Sequence, residues 1–251
     1  MNCFTPDDIL NMWKKGAEYG TLMHARYELL GNLLEMTRNH TTHIVCEKDF
    51  IEQAPCFPEK EFFVRFCKDY RFQLFAGKSI FWRTELLLFH ELLHITGTID
   101  AVLYDEKHDE YIIIDYKRQK GKLATDPIGK NMRTKPISEL PQSSRGKCLP
   151  AYEMIRNNNG NKYAIQLCIY ARLFEEIFQK RVRAMFLICV DSTKIETDSA
   201  KALDIVQIDR SKYTQCINQL FSARAEEILF KVKDLPLPEL QRKLLDYIIP
   251  Y

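Results

Sequence analysis

At 251 residues, with 46% hydrophobic and 28% charged residues, the chain can bury a full α/β core, which excludes a disordered or low-complexity protein. Its 36 basic and 34 acidic residues leave a formal net charge of +2, too small on its own to name a class of partner. The apolar run at residues 86–89 is broken by His90, Glu91 and His94, and no apolar run approaches the ~20 residues a membrane span requires, so no membrane partner is expected.

Thr5-Pro6-Asp7-Asp8 sets a cap-like threonine before a proline and two acids, and apolar residues then recur at helical spacing through Met36. The glycines at 16 and 20 interrupt that pattern and predict two helices. Residues 58–72 predict another, because Pro58 suits a first-turn position and Phe62, Phe63, Phe66 and Tyr70 share one side. The start MNCFTPDDIL has neither a secretory signal nor an organellar presequence pattern, so an intracellular location is expected.

From Phe81 to Lys117 the texture changes to β-branched and alternating runs. WRTELLLFHEL, ITGTIDAVLY and YIIIDYK predict three strands, the last two joined as a hairpin across the polar DEKHDE. Residues 118–160 are rich in Lys, Arg, Pro, Ser, Asn and Gly and are long for a structureless connection, as functional or mobile loops are. An amphipathic helix follows over 162–179, a buried strand over 183–190, a short strand over 205–208, and a long helix over 213–233 with a tail. The expectation is one domain, with two small domains as the alternative. It has a helical part over about 1–75, a core over about 76–210 carrying the basic loop, and a C-terminal helix over about 211–233.

The eight cysteines never come closer than ten residues, which excludes CxxC metal knuckles and predicts reduced, mostly buried thiols. Charge is unevenly spread. Residues 117–147 hold nine basic and two acidic side chains, a local +7 that leaves the rest at −5. That concentration, with Arg118, Lys120, Lys122, Lys130, Arg133 and Lys135 at its heart, marks either a polyanion-binding element or an ordinary solvated loop.

The chemistry-bearing stretch is GTIDAVLYDEKHDEYIIIDYK. Asp100 stands just after Gly97 in one predicted strand, and Asp115 and Lys117 share a face of the next, because residues two apart in a strand project the same way. An acid followed by x-Lys at a strand end is common in ordinary proteins. Asp115, however, follows Ile112, Ile113 and Ile114, so it ends a strand expected to be buried, where an unpaired carboxylate is costly. Two carboxylates suit a hard cation such as Mg²⁺, and a neighbouring lysine can orient the attacking water and offset charge on a phosphate. Gln166 and Tyr170 lie four apart on the amphipathic helix, hence on one face, as a helix-boundary pair or as hydrogen-bonding support for the site. His24, with Glu28 one turn later, reads by itself as a surface or satisfied core residue.

Taken in order, GTLMHARYE, GTID, IIIDYK and QLCIY resemble the motifs of the RecB-like branch of the PD-(D/E)XK nucleases, which includes the RecB nuclease domain, the mitochondrial single-strand exonuclease and, more distantly, lambda exonuclease. The resemblance spans about residues 16–190, with dense matching at 20–28, 96–117 and 163–173. It implies an α/β, restriction-endonuclease-like core with a mixed central sheet flanked by helices. It also implies His24, Asp100 and Asp115 as metal ligands, the Tyr116 carbonyl as a further one, Lys117 as the catalytic lysine, and Gln166 and Tyr170 as the QxxxY pair. Glu85, in the strand before GTID, resembles an acid often found there and takes an auxiliary role.

The cofactor expected is Mg²⁺ or Mn²⁺, the imidazole favouring manganese. Iron–sulfur members carry a cysteine cluster after the QxxxY helix; here only Cys189 and Cys216 follow it, so no cluster is expected. The leading function is a DNA exonuclease acting on ends or single strands. A structure- or site-specific endonuclease on the same core and a catalytically silent nucleic-acid-binding module are the alternatives.

Overall fold

A computed structural model describes residues 6–38, 59–68, 80–119, 155, 159–191 and 202–248. The elements run α1 (Pro6–Arg38), α2 (Glu59–Lys68), β1 (Ile80–His90), β2 (Ile95–Asp105), β3 (Glu110–Gln119), α3 (Asn159–Phe178), β4 (Arg181–Asp191), β5 (Leu203–Gln207), a 3₁₀ turn (Arg210–Tyr213), α4 (Thr214–Val232) and α5 (Pro238–Ile248). The strands form one five-stranded mixed sheet in the order β1-β2-β3-β4-β5. This is the α/β class predicted from the sequence, with a central mixed sheet, flanking helices and an N-terminal helical segment.

The hairpin of β2 and β3 fixes the core. The two strands pair antiparallel from Ala101↔Ile114 to Asp105↔Glu110. In the turn, Asp105 accepts the Lys107 N–H and Asp109 takes a left-handed φ of 51°, a conformation Asp tolerates better than most residues. Every residue of β3 from Tyr111 to Tyr116 is buried, so both faces of this strand are covered and its unbroken IIID run follows. Asp115 therefore lies inside β3, which continues to Gln119.

Two compact units make up the fold. The first takes α1, α2, β1 up to Leu86, β2 from Ile99, β3, β4 from Phe186, and β5 up to Val206. In it α1 is one continuous 33-residue helix, not the two predicted. Each interior glycine costs about 1 kcal/mol relative to alanine. The stripe Met23, Tyr27 and Leu30, buried where α1 packs on α2 and β3, offsets that cost. Tyr27 meets Phe63 of α2 at 5.7 Å and Tyr116 of β3 at 4.5 Å between ring centroids.

The second unit takes Leu87–Thr98, α3, the start of β4, and everything from Gln207 onward. Residues 238–248, expected as tail, form α5 packed on α4; Pro238 and Glu239 supply the first-turn signature that the sequence offers for it. A polar network joins α3, α5 and the end of β1. Glu176 accepts hydrogen bonds from His90 Nε2 (3.0 Å), Tyr247 Oη (2.8 Å) and Arg172 Nε (2.7 Å). Among the described residues Cys168, Cys189 and Cys216 are buried thiols, and no helix is long and apolar enough to cross a membrane.

Candidate metal centre

Three elements of the first unit each deliver one side chain to a common point. His24 from α1, Glu85 from β1 and Asp100 from β2 hold ligand atoms that all lie within 4.8 Å of one another. An imidazole nitrogen and two carboxylates form a donor set that fits a divalent metal ion.

Each of the three side chains has a local reason for its position. His24 follows Met23 on α1 and so borders the buried stripe, its ring edge-on to Tyr116 at 6.4 Å and its Nδ1 3.4 Å from Asp100 Oδ2. Asp100 stands one residue beyond the paired register of β2 and β3, and there its Oδ2 accepts the backbone N–H of Tyr116 at 2.6 Å. Glu85 reaches the cluster from a strand position with φ of 45°, a left-handed conformation that costs on the order of 1–3 kcal/mol for a non-glycine residue.

Asp115 does not complete that triple. Its side chain, in a residue only 2% exposed, lies with Oδ2 2.6 Å from the Lys117 ammonium. The two residues share a face of β3, as the strand period predicts. Of the expected ligand set His24, Asp100 and Asp115, the first two converge together with Glu85, and Asp115 feels the charges of Asp100 and His24 nearby. Tyr116 contributes its N–H to Asp100.

The electrostatics are those of crowded acids in a low-polarity setting. Burial first, then the charge of Asp100, push the Asp115 carboxyl up to about 7, against the opposing pull of Lys117. Glu85 is raised by partial burial and by Asp100. Burial works to lower His24, but its hydrogen bond to Asp100 and that residue's charge outweigh it, and the imidazole lies above its usual 6.5. Negative charge is thus concentrated where a divalent cation would relieve it.

Gln166 and Tyr170 belong to the second unit. The Gln166 amide donates to Tyr170 Oη at 2.7 Å, so the pair forms the one-turn contact that its spacing predicts. The Tyr170 ring packs so close to Gly97 that any Cβ there would overlap it. The glycine of GTID thus has a spatial reason. Arg118 is described at the end of β3, with its guanidinium 4.8 Å from the Tyr19 ring centroid. Lys120, Lys122, Lys130, Arg133 and Lys135 lie outside the described residues.

No family model matches the sequence, and no curated protein matches it. Among solved structures, the chain is similar to a candidate exonuclease from Eubacterium rectale, at 13% identity and a TM-score of 0.38, over 92% of this chain and 69% of that one.

Sequence reasoning gave Glu85 only an auxiliary place. Its one sequence signal is an acid amid an apolar strand, ELLLF; the left-handed φ that accompanies its place in the cluster leaves no mark in the sequence.

Proposed function

We propose that the chain is a divalent-metal-dependent DNA nuclease that hydrolyses phosphodiester bonds, as an exonuclease on DNA ends or single strands. The convergence of His24, Glu85 and Asp100 within 4.8 Å carries the reading. These three residues would hold the ion, and the motif resemblance adds Asp115 and the Tyr116 carbonyl. Bound Mg²⁺ or Mn²⁺ supplies polarisation of the phosphate and a more acidic attacking water.

The chain's own residues do the rest. Lys117 places a fixed positive charge, tied to Asp115 at 2.6 Å, for the charge that develops on the phosphate oxygens. Asp100, anchored through the Tyr116 N–H, stays oriented without substrate. Gln166 and Tyr170 offer an amide and a hydroxyl to the substrate backbone, and Arg118, Lys120, Lys122, Lys130, Arg133 and Lys135 neutralise its phosphates. An intracellular role in DNA repair, recombination or replication belongs to the same reading.

The test is cleavage of end-labelled single-stranded, blunt duplex and closed circular DNA with Mg²⁺ or Mn²⁺, using Asp115→Asn purified identically as control. Shortened linear strands and intact circles support the exonuclease. Cut circles indicate an endonuclease on the same core; binding without any cleavage indicates a nucleic-acid-binding module. Cleavage undiminished in Asp115→Asn would contradict the mechanism.

A further inference from the structure

The core stripe of α1 continues past the residues that bury it. Met23, Tyr27 and Leu30 follow one another at helical spacing, and the position one turn earlier on the same stripe is Tyr19. Tyr19 is 56% exposed, and Leu22 beside it is 43% exposed. An aromatic ring on the core stripe, left open to solvent, has a large apolar face to offer.

That ring already has a cation on it. The guanidinium of Arg118, the residue after Lys117 on β3, lies 4.8 Å from the Tyr19 centroid, within cation–π range. Tyr19 is five residues before His24 on the same helix, about 7.5 Å along its axis at 1.5 Å per residue. Tyr19 thus lies on the helix that carries His24, and Arg118 follows Lys117 on β3 but projects from the other face of the strand.

We propose that Tyr19 and Arg118 form a stacking platform for one base of single-stranded DNA. The ring stacks the base, and the guanidinium braces the ring while reaching the adjoining phosphate. A paired base in a duplex has both faces covered by its neighbours, whereas an unpaired one has a face to give. The platform therefore confers preference for single strands. It rests on the nuclease reading for the identity of the ligand as DNA.

Binding of fluorescein-labelled oligo-dT and of a blunt duplex is measured by anisotropy in EDTA, where no cleavage occurs, for the wild type, Tyr19→Phe, Tyr19→Ala and Arg118→Ala. Tyr19→Ala is expected to weaken single-strand binding about tenfold and to leave duplex binding within about twofold, with Tyr19→Phe near wild type. Arg118→Ala should weaken it too. A single abasic nucleotide, scanned along the oligonucleotide, should cost the wild type affinity at one position where Tyr19→Ala loses nothing further. Equal affinity of Tyr19→Ala and wild type for single strands, equal losses on both substrates, or no abasic-sensitive position would overturn the platform. Tyr19-dependent binding without cleavage in Mn²⁺ would uphold the platform and remove the nuclease; cleavage without Tyr19 dependence would do the reverse. Unchanged thermal melting of Tyr19→Ala, expected for an exposed side chain, excludes unfolding as the cause.

Discussion

The Oδ2 oxygen of Asp100 accepts the backbone N–H of Tyr116 at 2.6 Å, so a carboxylate of β2 is held by the main chain of β3 next to the point where their paired register ends. This bond separates the structural role of Asp100 from its charge. Asp100→Asn keeps a side-chain oxygen for the Tyr116 N–H and removes one of the crowded negative charges, so the metal-free variant is expected to melt at or above the wild-type temperature. Asp100→Ala leaves that buried N–H without its acceptor and is expected to cost about 1–3 kcal/mol. Both should lose metal affinity. Urea titration in EDTA and Mn²⁺ calorimetry check the two statements separately.

The Asp115 carboxyl, pushed up to about 7 by burial and by Asp100, makes metal-free stability depend on pH in a defined direction. A group whose folded pKa is raised gives stability that is full below its unfolded pKa, near 4, and is lost as pH rises through about 7. His24, also raised, acts in the same direction above 6.5. The metal-free protein should therefore lose stability from this cluster between pH 5 and 8, and Asp115→Asn should show a shallower loss. Divalent metal should reverse the trend, because it binds the deprotonated groups. Parallel pH profiles for wild type and Asp115→Asn in EDTA would count against this account.

Glu176 gives the opposite sign. Partial burial opposes its ionisation, but hydrogen bonds from His90, Arg172 and Tyr247 outweigh it and bring the carboxyl down to about 2. Its contribution is present above 4.5 and is lost as pH falls towards 2. Tyr247→Phe removes one of those donors from a partly solvated site and is expected to cost about 1–2 kcal/mol at neutral pH. The loss should shrink in acid. Chemical denaturation at pH 7 and pH 3 measures both.

Gly97→Ala is expected to displace the Tyr170 ring and with it the Gln166 hydrogen bond, at about 1–3 kcal/mol. Combining it with Tyr170→Ala should restore part of that loss, since the overlap then has no partner. Strict additivity of the two substitutions would show that the glycine answers to something else.

What the sequence made legible is what local pattern encodes. The IIID run of β3, the DEKHDE turn and the one-turn Gln166–Tyr170 spacing follow from strand and helix periods, and the structure has all three. Tertiary compensation was not legible. Gly16 and Gly20 resemble a helix break because the Met23, Tyr27 and Leu30 burial that offsets them depends on α2 and β3. The same holds for Glu85, whose place in the cluster goes with a left-handed backbone inside a strand. His90, Glu176 and Tyr247 meet across more than 150 residues of chain, and no local pattern announces such a meeting.

The most direct test of the central claim is the Mn²⁺ concentration that gives half-maximal cleavage of end-labelled single-stranded DNA, compared among wild type, His24→Ala and Glu85→Gln. If His24, Glu85 and Asp100 hold the catalytic ion, each variant should need at least about tenfold more metal, as loss of one ligand implies, with the rate partly recovered at high Mn²⁺. An unchanged half-maximal concentration in both variants, or no metal-dependent cleavage by the wild type, would contradict it.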